Sequence, residues 1–231
     1  MDRVGSALNH LLALFVPISI FVLVGCIQRS LHLIHHGAIG LCAARGLARL
    51  ITVVLKHSVG RLRPDFLARC KWDEILLECT GKKQTVIDGR KSFPSGHSST
   101  AFSGMFFLSL WMAGQTAAWC FSVQMPPRNL RSSRMTSFFL SIIPLFWATH
   151  VAVTRIQDYK HHKEDVCVGG FIGIASAFIS YLIFWPNPFS PSSFDHQIYG
   201  QPRVLYTAGE YRSRNIDFEL GRHELEEENI V

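Results

Sequence analysis

Thr154–Val166 reads TRIQDYKHHKEDV and is the most polar run between two apolar segments, each long enough to cross a bilayer. It contains Arg155, His161 and Asp165. If the chain is helical from Tyr159 onward, His161 and Asp165 lie one turn apart on one face. A carboxylate in that position holds an imidazole by one ring nitrogen and leaves the other free to attack. An arginine one element away can bind an anion. These residue types are the nucleophile, the orienting group and the anion clamp that covalent phosphoryl transfer requires. His162 is expected on a different helix face from Asp165 and reads as a structural neighbour.

The two flanking segments belong to a set of five. Of the 231 residues, 48% are hydrophobic, and they segregate into blocks at 7–27, 37–55, 98–119, 137–153 and 166–185. At 1.5 Å per residue the first block covers about 31 Å, the thickness of a hydrocarbon core. Pro17 lies inside it, which a membrane helix tolerates. No small-residue cleavage site follows it, so a membrane span is the better reading than a signal peptide. The expected fold is all-α: a polytopic transmembrane helix bundle of five spans over residues 1–190. Residues 191–231 are polar, interrupted by prolines and acidic toward the end, and are expected to form a disordered tail.

Between the spans, residues 28–36 are expected to form a short polar turn. Its histidines (His32, His35 and His36) have no carboxylate or cysteine partner, so they read as a membrane interface and not a metal site. Residues 56–97 form a long polar loop, and residues 120–136 a connection with Arg128, Arg131, Arg134 and a Pro126-Pro127 break. Arg45 and Arg49, four apart in the second span, must snorkel or face a polar interior. Alternation of five spans puts the 56–97 loop and the 154–165 stretch on one side. The 28–36 turn, the 120–136 connection and the tail fall on the other.

The formal net charge is +6, but the basic residues sit between apolar spans and form no continuous stripe, which argues against a nucleic-acid partner. The positive-inside rule favours the 28–36 and 120–136 loops as cytoplasmic, although the 56–97 loop contains more Lys and Arg. Cys26, Cys42, Cys120 and Cys167 read as small apolar residues in or beside the spans. Cys70 and Cys79 share one polar loop and could pair in an oxidising compartment, which would make that loop luminal or extracellular.

The long loop opens with KHSVGRLRPDF, residues 56–66. Lys56, Arg61 and Arg63 concentrate at a helix end that Pro64 terminates, and alone they would read as a snorkelling rim. The loop closes with KSFPSGHSSTAF, residues 91–102. Pro94-Ser95-Gly96 forms a turn leading into the third span, where free amides and the helix dipole favour an anion. Gly96 lets the backbone approach a phosphate oxygen, and His97 could donate a proton to a leaving oxygen.

Taken together, Lys56, six residues, Arg63-Pro64; Pro94-Ser95-Gly96-His97; and Thr154-Arg155, five residues, His161, three residues, Asp165 resemble the three-part signature of the type 2 phosphatidic acid phosphatase (PAP2) superfamily. The texts GRLRPDF, RKSFPSGHSS and DYKHH-x-x-DV are most similar to its eukaryotic lipid phosphate phosphatases. The resemblance covers roughly residues 10–190. It implies an acid phosphatase–haloperoxidase-like core and a multi-pass protein of an endomembrane (ER, Golgi or vacuole) or the plasma membrane. It implies His161 as nucleophile through a phosphohistidine, Asp165 as its orienting group and His97 as proton donor and then base. Lys56, Arg63, Ser95, Gly96 and Arg155 would bind phosphate, with no metal and no cofactor. The implied substrates are membrane lipid phosphates such as phosphatidate, lysophosphatidate or diacylglycerol pyrophosphate. An isoprenoid diphosphate phosphatase, a lipid phosphotransferase or a non-enzymatic membrane partner are the alternatives. The intact His97, His161 and Asp165 favour an enzyme. Two departures stand out: Thr154 replaces the usual serine, and of the family's six spans the first has no counterpart here.

Overall fold

The computed structural model describes residues 3–123, 133–194 and 200–203. Five long helices appear where five spans are expected: α1 (Ser6–Ile27), α2 (Leu31–Val59), α5 (Gly96–Thr116), α6 (Arg134–Gln157) and α7 (Lys163–Phe184). Between α2 and α5 lie two short helices, α3 (Phe66–Cys70) and α4 (Lys83–Gly89), and a two-stranded antiparallel hairpin, β1 (Trp72–Asp73) and β2 (Glu78–Cys79).

Helix α5 is the centre of the bundle and packs against α1, α2, α6 and α7. The other four long helices are long and apolar enough to cross a membrane; α5 is not among them. Its position explains this. A helix enclosed by protein needs no lipid-compatible surface, and α5 buries Ser98, Ser99, Ser103 and Ser109. Their hydroxyls are satisfied locally: Ser103 donates to the Thr100 carbonyl (3.0 Å) and Ser109 to the Met105 carbonyl (3.0 Å). Helix α1 is the opposite case. It buries a single strip at every fourth residue (Asn9, Ala13, Pro17, Phe21, Gly25) and exposes Leu8, Leu11, Phe15 and Leu23.

Inside a bilayer, apolar surface gains nothing from leaving lipid, so close van der Waals packing must hold helices together. The α5–α7 contact shows this. A Cβ on Gly169 would stand 2.4 Å from the Ser95 carbonyl oxygen, and one on Gly173 2.7 Å from the Ser99 carbonyl oxygen. One helical turn apart, these two glycines let the backbones touch. Toward the other end the core is aromatic: Phe21, Phe107, Trp111, Tyr181 and Trp185 pack together, with Phe21 and Trp111 centroids 4.9 Å apart. Trp111 is fifteen residues along α5 from Gly96, about 22 Å at helical rise.

Three expectations need correction. The polar turn ends at Ser30, whose hydroxyl accepts from the Leu33 amide, so His32, His35 and His36 are helical; His36 is buried against Phe184. The 56–97 loop is largely structured, while the pairing open to its cysteines does occur: Cys70 and Cys79 are joined by a disulfide. At the end of the bundle, Gly200 and Arg203 return to it: the Gln115 amide donates to the Gly200 carbonyl, and the Arg203 amide to the Phe184 carbonyl at 2.7 Å. Pro126-Pro127, Arg128, Arg131 and the tail from residue 204 lie outside the described residues.

Candidate active site

One end of the bundle gathers the C-terminal ends of α2 and α6 and the N-terminal ends of α5 and α7. Asp165 is where they meet. Its carboxylate is fully buried and accepts from the Arg61 guanidinium (3.0 Å), the Ser92 hydroxyl (2.5 Å) and the His162 amide (3.0 Å). His161 Nδ1 lies 3.7 Å from the same carboxylate and 3.5 Å from the Ser92 hydroxyl. The Asp165 carbonyl accepts from the Ser95 amide at 2.8 Å, which ties the start of α7 to the turn before α5.

This pairing of His161 with Asp165 does not arise as the spacing predicts. Tyr159 has a φ of +53°, residues 158–161 form a turn, and α7 begins only at Lys163. The two side chains meet because Asp165 is the third residue of α7 and reaches back over the helix start in a capping box. The same geometry overturns the expectation for His162. It is the N-cap residue, and its Nδ1 lies 3.3 Å from the Asp165 carboxylate.

His161 is 3% exposed. Burial lowers its pKa, the nearby Asp165 carboxylate opposes this, and the charges of Arg63 and Lys56 lower it further. The imidazole is therefore held neutral at neutral pH, with Nδ1 turned to the carboxylate. Burial also lowers the pKa of Arg63, although guanidinium remains charged.

The cationic residues come from three elements. Lys56, in the last turn of α2, donates to the Lys91 carbonyl at 3.0 Å. Arg63 donates to the Asp88 carbonyl (3.0 Å) and carboxylate (3.0 Å), and Asp88 is in turn held by Arg69 at 2.8 Å. Arg155, 1% exposed at the end of α6, lies 3.0 Å from the Asp158 carboxylate and 3.3 Å from the Thr154 hydroxyl. Thr154 thus supplies a hydroxyl acceptor and donates it onward to the Val151 carbonyl (2.7 Å).

Ser95 is the N-cap of α5, and its hydroxyl accepts from the Ser98 amide. Gly96 and His97 are the first two residues of that helix. A Cβ on Gly96 would meet only the Lys56 Cε at 3.7 Å and the Thr52 Cγ2 at 3.9 Å, both ordinary contacts. Among the described residues, no protein group therefore demands glycine there. The start of α1 braces this end of the bundle: the Asn9 side chain donates to the His97 carbonyl (3.0 Å), and the Arg3 amide donates to Asp158 (3.1 Å).

Four residues around the site are not legible as such in the sequence. Arg61 reads as one member of a basic cluster. Ser92 and Asp158 stand inside the motif stretches without a distinguishing signal, and Asn9 has none at all.

The fold and site together define a membrane-embedded helical protein with buried and half-buried cations gathered around a buried histidine and carboxylate. The PAP2 superfamily model matches residues 37–189. The chain is 34% identical over 199 residues to lipid phosphate phosphatase 2 of Arabidopsis thaliana, covering 83% of this chain and 65% of that protein. It is 35% identical over 184 residues to lipid phosphate phosphatase 1 of the same plant, covering 77% and 53%. It is 33% identical over 195 residues to a probable diacylglycerol pyrophosphate phosphatase 1 of Schizosaccharomyces pombe, covering 80% and 66%. No solved structure gives a significant match. The chain belongs to the PAP2 superfamily. It spans between about half and two thirds of the length of these relatives.

Proposed function

We propose that this protein is a lipid phosphate phosphatase that removes phosphate from phosphatidate and related lipid phosphates or diphosphates. The observation that carries this reading is the Asp165 junction: one buried carboxylate, anchored by Arg61 and Ser92, lies 3.7 Å from Nδ1 of the buried His161 imidazole. In this reading Nε2 of His161 attacks phosphorus as the bond to the lipid oxygen breaks. His97 gives its proton to that oxygen. His97 then takes a proton from water, which attacks the phosphohistidine and releases phosphate and free His161. Lys56, Arg63 and Arg155, with the Ser95–Gly96 turn, bind the phosphoryl oxygens and neutralise their charge, the part that metal ions play in other phosphoryl-transfer sites. The reaction accordingly proceeds without Mg²⁺.

The site-side loop carries the Cys70–Cys79 disulfide, which supports an active site facing a lumen or the exterior. Tags in the 71–90 segment should then be shielded from cytosolic reagents in intact cells.

The test of activity is release of inorganic phosphate from phosphatidate in detergent micelles containing EDTA. His161→Ala abolishes it. His162→Ala retains most of it, because the backbone amide that caps Asp165 survives the change. Loss of turnover in the His162 variant with retention in the His161 variant would reverse the nucleophile assignment. A panel of phosphatidate, lysophosphatidate, diacylglycerol pyrophosphate and isoprenoid diphosphates ranks the substrates. Transfer of phosphate to an added alcohol in preference to water would instead identify a phosphotransferase.

A further inference from the structure

The disulfide-closed hairpin in the α2–α5 loop carries apolar side chains that phosphate chemistry does not use. Ile75 is 92% exposed and Leu77 70%, with Leu76, Trp72 and Leu67 beside them in sequence also exposed. Three consecutive large aliphatic residues displayed on an extramembrane tip are costly in water.

Their display is built into the local structure. The tip is closed at its base by Cys70–Cys79 and by the pairs Trp72↔Cys79 and Asp73↔Glu78. The Asp73 carboxylate accepts from the amides of Ile75 (2.9 Å) and Leu76 (3.1 Å), and so fixes the turn with polar atoms inward and aliphatic side chains outward. Leu77 takes a φ of +52°, a conformation a leucine rarely adopts. Behind the tip, the Gly81 amide donates to the Cys70 carbonyl at 2.8 Å, and a Cβ on Gly81 would stand 2.3 Å from the Arg69 carbonyl oxygen, so the hairpin sits tightly on α3.

The surroundings select the occupant. The loop leaves α2 through the exposed apolar residues Val59 and Leu62 and returns at α5, so it lies against the membrane face where those helices end. Beyond the site cations Lys56, Arg61 and Arg63, residues 64–91 contain six Lys or Arg against five Asp or Glu, and Lys71, Lys82 and Lys83 flank the tip at its base, where they can meet headgroup phosphates. A tip of three side chains is also too small for a stable protein partner, which buries on the order of 1,200 Å² or more in total.

We propose that this hairpin is a membrane-interface anchor. Ile75, Leu76 and Leu77 insert at the acyl-chain boundary of the site-side leaflet, Trp72 sits at headgroup level, and Lys71, Lys82 and Lys83 face the phosphates. The anchor is linked to the site, since Arg69 at its base bridges Asp65 (2.9 Å) and Asp88 (2.8 Å), and Asp88 holds Arg63. Lipid insertion requires no catalysis, so its test stands apart from that of phosphatase activity.

The experiment uses the full chain in nanodiscs of phosphatidylcholine with phosphatidylglycerol. A photoreactive benzoylphenylalanine replaces Leu76 in one variant and Lys83 in another. After irradiation, mass spectrometry should find several-fold more lipid adduct at 76 than at 83. Equal yields, or adducts at 76 chiefly to a second copy of the chain, overturn the proposal. Hydroxyl-radical footprinting of the unsubstituted chain in the same nanodiscs checks the result without any bulky replacement. Oxidation of Trp72 should be several-fold slower in the unsubstituted chain than in the same chain with Ile75→Ser, Leu76→Ser and Leu77→Ser. Oxidation of the native tip at the rate of freely exposed aliphatics also overturns it.

Discussion

Under the proposed mechanism, replacing Asp165 with Asn separates orientation of the His161 nucleophile from support of the helix. The side chain keeps its shape and still offers one oxygen to the His162 amide, now 3.0 Å away, so the cap on α7 is preserved. What disappears is the negative charge shared by Arg61, Ser92 and His161. A hydrogen bond to a charged group contributes about 1.5–3 kcal/mol. Arg61 is partly exposed and keeps its second carboxylate, Glu164, at 3.2 Å, so the stability lost should fall toward the low end of that range. The catalytic loss should be larger. Positioned acid–base groups contribute about 10²–10⁴-fold, or about 2.7–5.4 kcal/mol at 1.36 kcal/mol per decade. The assay is kcat and KM for phosphate release as a function of pH, with thermal unfolding measured in parallel. The Asp165 carboxylate is among the groups that raise the His161 pKa, so loss of its charge should move the acid limb of kcat/KM to lower pH. A purely structural role predicts a lower Tm with an unshifted limb. Activity within tenfold of wild type, in a folded variant, would refute the assignment of Asp165 as the orienting group.

Three other outcomes follow from the same geometry. Arg63 lowers the His161 pKa, and the proposed mechanism needs a neutral attacking imidazole, so activity should be present above that pKa and lost as pH falls through it. Arg63→Met should therefore move the acid limb to higher pH, opposite to Asp165→Asn, and raise the inhibition constant for inorganic phosphate. Gly96→Ala meets only ordinary contacts and should fold with unchanged or slightly raised Tm, the usual gain being about 0.4–1 kcal/mol, while losing phosphate affinity because the new methyl occupies ligand space. Gly169→Ala is the converse: its Cβ would press to 2.4 Å on the Ser95 carbonyl oxygen, so thermal unfolding should show a loss of about 1–3 kcal/mol or more.

The sequence makes the five long helices readable because length and apolarity are local properties and lipid contact preserves them. It also makes their co-facial loops readable, since alternation of spans is a counting argument. Helix α5 shows where that reading thins. Its serines look like a weakened span, and only enclosure by four neighbours accounts for them. The His32–His36 stretch shows the reverse error: polarity there suggests a turn, yet an N-cap at Ser30 and packing against Phe184 make it helical.

At the site, residue types and spacing by themselves determined which side chains to consider: His97, His161, Asp165 and the cations of the three motifs stand at helix ends or in the adjoining loops, at one end of the bundle. Their relations were decided in three dimensions. The spacing of His161 and Asp165 invites a helical turn, and the chain instead uses a left-handed Tyr159 and a capping box that also draws in His162. Arg61 and Ser92 became visible as partners only once α2, α5 and α7 converged, because a hydrogen bond between residues far apart in the chain, such as Arg61 to Asp165, leaves no periodic trace in it. Local chemistry is written along the sequence; the distances that couple it depend on how the helices pack.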